Sequence, residues 1–293
     1  MASWGRARWG EEIVLAKDSK DFIVVIPCKS NNTAQTSEMD IKPVWTGNLG
    51  EMVGCTKFSD LIKACKTACP RDPSSNFLLA VHFVPFSYGY EVFSSDGSNL
   101  HLYRTKSPIS KGVKKGFMIG DGVVRFLKGK KLSTEAKIKI YQRGVEIELS
   151  SGVKIIDITK SVDFKKPFIC VMEKANGNVD GVVVNRQSFT QCLREIQDIF
   201  GKKSKAPFKI EVLPDGKITV SIRLDSGNSK SWIIQGKTFG KPSGVMLMAV
   251  PILRALRHLS NLVEVTLSWR SPKDPVRIYD SKSCFEALTM PVK

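Results

Sequence analysis

Arg186-Gln-Ser-Phe189-Thr-Gln-Cys192-Leu193-Arg-Glu-Ile196-Gln-Asp-Ile199-Phe200 carries its apolar residues at helical spacing. Phe189, Cys192, Leu193 and Ile196 make one stripe, and charged and polar residues fill the rest, which predicts a helix over 186–200 lying on a core. The pattern recurs far upstream. Phe58, Leu61, Ile62 and Cys65 stand in the same mutual spacing, within a predicted helix over 57–69, and one constant offset maps each onto its counterpart. A second pair of short helices repeats in the same way. Arg125 and Lys128 follow Asp121, a good N-cap, and Arg254 and Arg257 follow Pro251, which suits a first helical turn. The chain thus reads as a duplicated unit.

The elements around these helices support the duplication. In the second half, Pro167-Phe-Ile-Cys-Val-Met172 reads as an opening strand, followed by a polar turn and Gly181-Val-Val-Val184. After the first helix come alternating runs over 208–213 and 217–222, joined at Pro214-Asp215-Gly216 as a hairpin. Strands at 231–235, 263–269, 276–279 and 287–292 complete the unit, with the second helix over 251–259. In the first half, the opening strand is 21–26. Strands at 78–84, 89–93, 100–104, 136–141, 145–149 and 154–158 follow, and Gly116-Phe-Met-Ile-Gly120-Asp-Gly122 reads as a turn leading into a helix. The expected organisation is α+β in two tandem domains, each with antiparallel sheets and two short helices. A flexible segment 1–20 comes first, then domain 1 over 21–158 with an insertion at about 29–54. A connector at 159–166 and domain 2 over 167–293 follow.

Composition narrows the function. The 293 residues are 42% hydrophobic with 22 glycines, an ordinary globular balance. No stretch approaches the ~18 apolar residues of a membrane-spanning helix, and the first residues have no apolar signal core. Forty-five Lys and Arg face 28 Asp and Glu, a net charge of +17. Such an excess attracts polyanions, nucleic acid first and an anionic membrane second. Seven scattered cysteines argue for a reducing intracellular compartment rather than a disulfide framework.

Catalysis finds little support. Only three histidines exist, His82, His101 and His258. Cys65 and Cys69 lie one helical turn apart, yet no second ligand pair completes a zinc site. The glycine-rich 116–122 stretch lacks the Gly-Lys-Ser/Thr of a phosphate loop, and neither Gly-x-Ser-x-Gly nor His-Glu-x-x-His occurs. No enzyme, cofactor or metal is therefore expected. The cations are more telling. Lys63 and Lys66 lie opposite the apolar stripe of the first helix, and Arg194 takes the place of Lys63 in its counterpart. Arg125 with Lys128, and Arg254 with Arg257, share helix faces at i and i+3. Lys130, Lys131, Lys202, Lys203 and Lys205 flank them in loops. Helices presenting cations from their solvent sides can hold phosphates without reading bases. Trp4, Trp9, Trp232 and Trp269 admit single-strand stacking as a lesser reading, the strand tryptophans being core candidates.

Two successive units of strand, helix, three strands, helix and three strands, with basic helices, resemble the sliding-clamp fold. The family includes proliferating cell nuclear antigen and the herpesvirus DNA polymerase processivity factors. The resemblance runs over about 20–293. It is carried by Ser188-Phe-Thr-Gln-Cys-Leu-Arg-Glu-Ile196, by Ile252-Leu-Arg-Ala-Leu-Arg-His-Leu259 and by Phe285-Glu-Ala-Leu-Thr-Met-Pro-Val292. It implies basic helices that track duplex DNA, and a connector near a groove for a peptide of the polymerase catalytic subunit. Here Ile155, Ile156, Ile158, Val162 and Phe164 would line that groove. The basic balance favours the herpesvirus type, which acts in the host nucleus and needs no closed ring; a homo-oligomer remains compatible. The expected function is a DNA polymerase processivity factor that binds double-stranded DNA, with no membrane partner. The alternative is a viral matrix-like structural protein that binds anionic membranes and self-assembles.

Overall fold

The computed structural model describes residues 14–18, 21–25, 43, 45–48, 80–86, 89–105, 116–120, 123–124, 137–141, 144–149, 154–158, 165–177, 179–201, 207–259 and 262–292. The chain divides into two compact units. The first holds Met1–Asp96 and Leu102–Val162; the second holds Gly97–His101 and Asp163–Lys293.

The second unit is the more completely described. Strand β11 (Asp180–Asn185) leads directly into helix α2 (Arg186–Phe200). The Asn185 side chain accepts a hydrogen bond from the Ser188 amide at 3.0 Å, capping that helix, and Gly201 ends it at φ +84°. Strands β12 (Pro207–Val212), β13 (Ile218–Arg223), β14 (Ser229–Ile234) and β16 (Gly244–Met248) form a four-stranded sheet in the order β14-β13-β12-β16. The other sheet runs β15 (Gly236–Phe239), β11, β17 (Glu264–Trp269), β18 (Val276–Tyr279), β19 (Phe285–Thr289). Beside β19 lies β6 (Asn99–Arg104), whose residues 99–101 belong to this unit. Helix α3 (Ala249–His258) follows β16 and packs on α2.

Alternation in the strands aims Phe208, Ile210, Val220, Ile222, Leu247, Val265 and Leu267 inward, all buried. The helices add Phe189, Leu193, Ile196, Ile252 and Leu256, also buried. Phe189 meets Phe208 edge-on at 6.3 Å. Gly181 shows how tightly β15 closes on β11. A Cβ there would run into the Leu267 carbonyl oxygen and the Phe239 ring, so only hydrogen fits.

The first unit repeats both strand orders. Strands β4 (Ala80–Phe86), β5 (Gly89–Ser95), β6 and β7 (Phe117–Gly120) are arranged β7-β4-β5-β6, as β16-β12-β13-β14 are. Strands β3 (Trp45–Asn48), β8 (Lys137–Tyr141), β9 (Gly144–Glu148) and β10 (Lys154–Ile158) run β3-β8-β9-β10, as β11-β17-β18-β19 do. Two additional strands, β1 (Val14–Asp18) and β2 (Asp21–Val25), extend the latter sheet past β10. The fold is α+β with mostly antiparallel sheets.

Several expectations need correction. Residues 167–172 are not a strand. They lie within helix α1 (Lys165–Asn176), whose Pro167 sits in the first turn, where a missing N–H costs nothing. Phe168, Val171, Met172 and Ala175 also fit helical spacing, so the apolar run is ambiguous between the two periods. The strand that opens the second unit is β11. Its counterpart in the first unit is β3, inside the expected insertion at 29–54, and not β2, which pairs in parallel with β10. Residues 117–120 form strand β7 on the edge of β4 in place of the expected turn. The short strands β15 and β16 between Ile234 and α3 have no expected counterpart, and the last strand begins at Phe285, two residues before the expected start. The predicted helix at 57–69 lies outside the described residues, as does most of the one after Asp121.

Candidate nucleic-acid interface

Helices α2 and α3 bury one face each and leave the other to solvent. On α2, Gln187, Ser188, Gln191, Arg194 and Asp198 are exposed. On α3, Arg254 is half-exposed and Arg257 exposed, one turn apart, and Arg257 and His258 lie in the last turn, where positive charge complements the helix dipole. Arg194, Arg254 and Arg257 have no carboxylate within ion-pair distance among the described residues. Three guanidinium groups are thus held on two packed helices and left available to an anion. A guanidinium presents a planar fork of donors that matches a phosphate.

Glu195, next to Arg194 in sequence, is engaged elsewhere. Glu195 accepts from Trp232 Nε1 at 2.9 Å and from Gln191 Nε2 at 3.3 Å, tying α2 to strand β14. Lys230 lies over the Trp232 ring at 4.9 Å and adds a cation beside α2 that is not among the residues singled out from sequence. The Lys230-Ser-Trp232 alternation carries the signal, since residues two apart on a strand share a face. Arg186 has a structural task. Its Nε donates to the Leu262 carbonyl at 2.9 Å, and its amide to the Val263 carbonyl at 2.8 Å, fixing where α2 starts.

Of the twelve cations singled out from sequence, the structure therefore describes Arg194, Arg254 and Arg257 and brings them onto one helix pair. Lys63, Lys66, Arg125, Lys128, Lys130, Lys131, Lys202, Lys203 and Lys205 lie outside the described residues. The expected partner groove fares differently. Ile155 is 1% exposed in the core of the first unit, where β10 pairs with β9, so its side chain is not offered to a partner. Ile156 and Ile158 belong to the same strand; Val162 and Phe164 lie outside the described residues.

Reactive groups are muted. Burial pushes the Cys192 thiol up to about 12, with Glu195 adding to the shift, so it carries no thiolate near neutrality. Trp269 is fully buried and donates to Ser243 Oγ at 2.9 Å, a core role rather than a stacking one. Its Nε1 partner is why so large an indole can be buried whole. His258 is half-buried. Its ring packs 5.9 Å from His101 and 5.2 Å from Phe285, and burial, aided by the Arg257 charge, holds its pKa below the ordinary value. Among the described residues no group of His, Cys, Asp or Glu could hold a metal ion.

No family profile and no curated protein matches the chain. Solved structures do. The DNA polymerase sliding clamp of Bacillus subtilis is similar with a TM-score of 0.72 and 14% identity, over 97% of this chain and 74% of that one. The sliding clamp of Pseudomonas aeruginosa, a DNA polymerase III beta subunit, gives 0.73 and 11%, over 87% and 67%. A DNA polymerase III beta subunit of Eubacterium rectale gives 0.71 and 16%, over 85% of this chain. The chain spans 64% of the length of that last protein. At these identities the likeness establishes the fold: the architecture is that of the sliding clamps.

Proposed function

We propose that this chain is a DNA polymerase processivity factor that grips duplex DNA through the cationic faces of its helices and tethers a replicative polymerase to the template. The observation that carries the reading is the set of Arg194, Arg254 and Arg257, free of carboxylate partners among the described residues, on the helix pair of a clamp fold. Contacts of this kind neutralise phosphates, release counterions and carry no base information, so the protein holds any sequence and can slide. No chemistry is asked of the chain. The net charge of +17 supports a direct electrostatic grip, the mode implied by the herpesvirus-type resemblance, and with it action in the host nucleus where the template lies.

The test is fluorescence anisotropy on a random duplex, titrated with salt. Log K should fall linearly with log salt, and the triple variant Arg194→Glu, Arg254→Glu, Arg257→Glu should flatten the slope by about 0.9 for each phosphate it no longer neutralises. The variant should bind all sequences more weakly and to the same degree, and primer extension should shorten with it. A flat salt response, or binding to anionic vesicles in place of DNA, would overturn the reading in favour of a membrane-bound structural protein.

A further inference from the structure

Strand β14 carries a lysine on the inner face of its sheet. Lys230, Trp232 and Ile234 pair across the ladder with Ile222, Val220 and Ile218, and all three partners are buried. Residues two apart on a strand share a face, so these three side chains belong to the side on which α2 packs. Ile234 is buried, Trp232 half-buried and Lys230 exposed, so the row climbs from the core to solvent beside α2. The lysine charge is felt there. Burial, with Glu195 adding to it, pushes the Cys192 thiol up, and the Lys230 charge works against that rise.

Glu195 and Lys230 touch the same indole, and an acid and a cation so placed ordinarily pair. Here Trp232 takes them both. Its Nε1–H donates to Glu195 Oε2 at 2.9 Å, while Lys230 Nζ lies 4.9 Å from the centre of its ring. The edge of the indole serves the carboxylate and its electron-rich face serves the ammonium. Glu195 Oε1 accepts from Gln191 Nε2 at 3.3 Å, so each oxygen of the acid has a neutral donor. Among the described residues no carboxylate lies within ion-pair distance of Lys230.

We propose that Trp232 is a positioning residue that keeps Lys230 out of an ion pair with Glu195, so that Lys230 serves as a further phosphate-binding cation on the β14 flank of α2. The inference rests on the duplex-binding reading above and adds to it the device that leaves one cation available.

The experiment is fluorescence anisotropy of the full chain on a random duplex, titrated with salt. Lys230→Gln should weaken binding to all sequences alike and make the log–log slope shallower by about 0.9, one phosphate fewer. Trp232→Phe keeps an aromatic face and removes the N–H, which releases Glu195 to Lys230, and the same loss of slope is expected. In a chain that already carries Glu195→Gln there is no acid to release, so adding Trp232→Phe should change nothing. An indole with a merely structural role would weaken binding equally in both backgrounds, and that result would overturn the proposal. So would a slope indifferent to Lys230→Gln. If Trp232→Phe does not fold, a cycle of Lys230→Gln and Glu195→Gln decides with the indole intact. The lysine should contribute equally with and without Glu195→Gln; a contribution that appears only once the acid is gone means that the two already pair, and sinks the idea. The two readings fail separately. Binding that is lost in the triple arginine variant but unmoved by Lys230→Gln removes the role of Lys230 alone, whereas a natural chain whose duplex binding ignores salt removes the grip itself.

Discussion

The two units share strand orders but bury their glutamates in different places and neutralise them with different chemistry. In the first unit, Glu146 on β9 is buried and accepts from Lys139 Nζ at 2.9 Å and from the Tyr141 hydroxyl at 3.0 Å. In the second, Glu286 on β19 is buried and accepts from Arg277 Nη2 at 2.7 Å and Nε at 3.2 Å, with Arg277 over the Tyr279 ring at 4.2 Å. Lys139 lies directly across the ladder from Glu146, whereas Arg277 reaches Glu286 diagonally, Tyr279 being its register partner. The first pair sits on β8 and β9 and the second on β18 and β19, which are not corresponding strands, so the shared topology fixes neither where a buried charge is neutralised nor which residue does it. A duplicated fold can therefore survive when its two halves hardly share sequence.

The largest contrast is expected from removing the cations. Arg277→Met removes two hydrogen bonds and a positive charge from a carboxylate that is 4% exposed and should cost about 3 kcal/mol, the low end for breaking a buried pair. Lys139→Met leaves Tyr141 still donating to Glu146, and the lysine side chain is 34% exposed, so about 1 kcal/mol is expected. Urea unfolding of both variants measures the difference; equal destabilisation would mean that the second donor is worth nothing.

Acid should separate the units next. His258 titrates below the ordinary histidine value of 6.5 because it is buried and Arg257 is near. The unfolded chain then takes up the proton first, so stability is intact above that pH and falls as pH drops through and below it. His258→Phe preserves a ring against His101 and Phe285 and removes the charge. Thermal melts from pH 7 to 5 should show a shallower acid limb in that variant, and an unchanged limb would clear His258 of responsibility.

The smallest effect lies at the alkaline end and belongs to the first unit. Its hydrogen bond to Glu146 raises Lys139, and burial, followed by a separate hydrogen bond to the other oxygen of Glu146, raises Tyr141. Both groups lend stability in full below the ordinary values of 10.5 and 10.0, and lose it as pH climbs beyond them. Unfolding midpoints between pH 9 and 11 should fall less steeply in Lys139→Met than in the natural chain.

Legibility follows the physics of each segment. Helix α2 is readable because Phe189, Cys192, Leu193 and Ile196 repeat at a period only a helix satisfies. The hairpin at 214–216 is readable because alternation on both sides meets Pro-Asp-Gly. Strand β15 is not, since Gly236-Lys-Thr-Phe239 is almost wholly exposed and has no alternation to betray it. Strand β3, Trp45-Thr-Gly-Asn48, is a strand because β8 pairs with it, a long-range fact absent from four residues. At the helix pair, the Arg254 and Arg257 spacing is local and visible. Lys230 shares a strand face with Trp232, which the alternation shows, but its place beside α2 rests on the long-range bond from Trp232 to Glu195.

Strand β2 joins β10 through three parallel register pairs and joins β1 through five antiparallel ones. Parallel pairs are slightly weaker per residue, so the cohesion of this hairpin exceeds its adhesion to the sheet it lengthens.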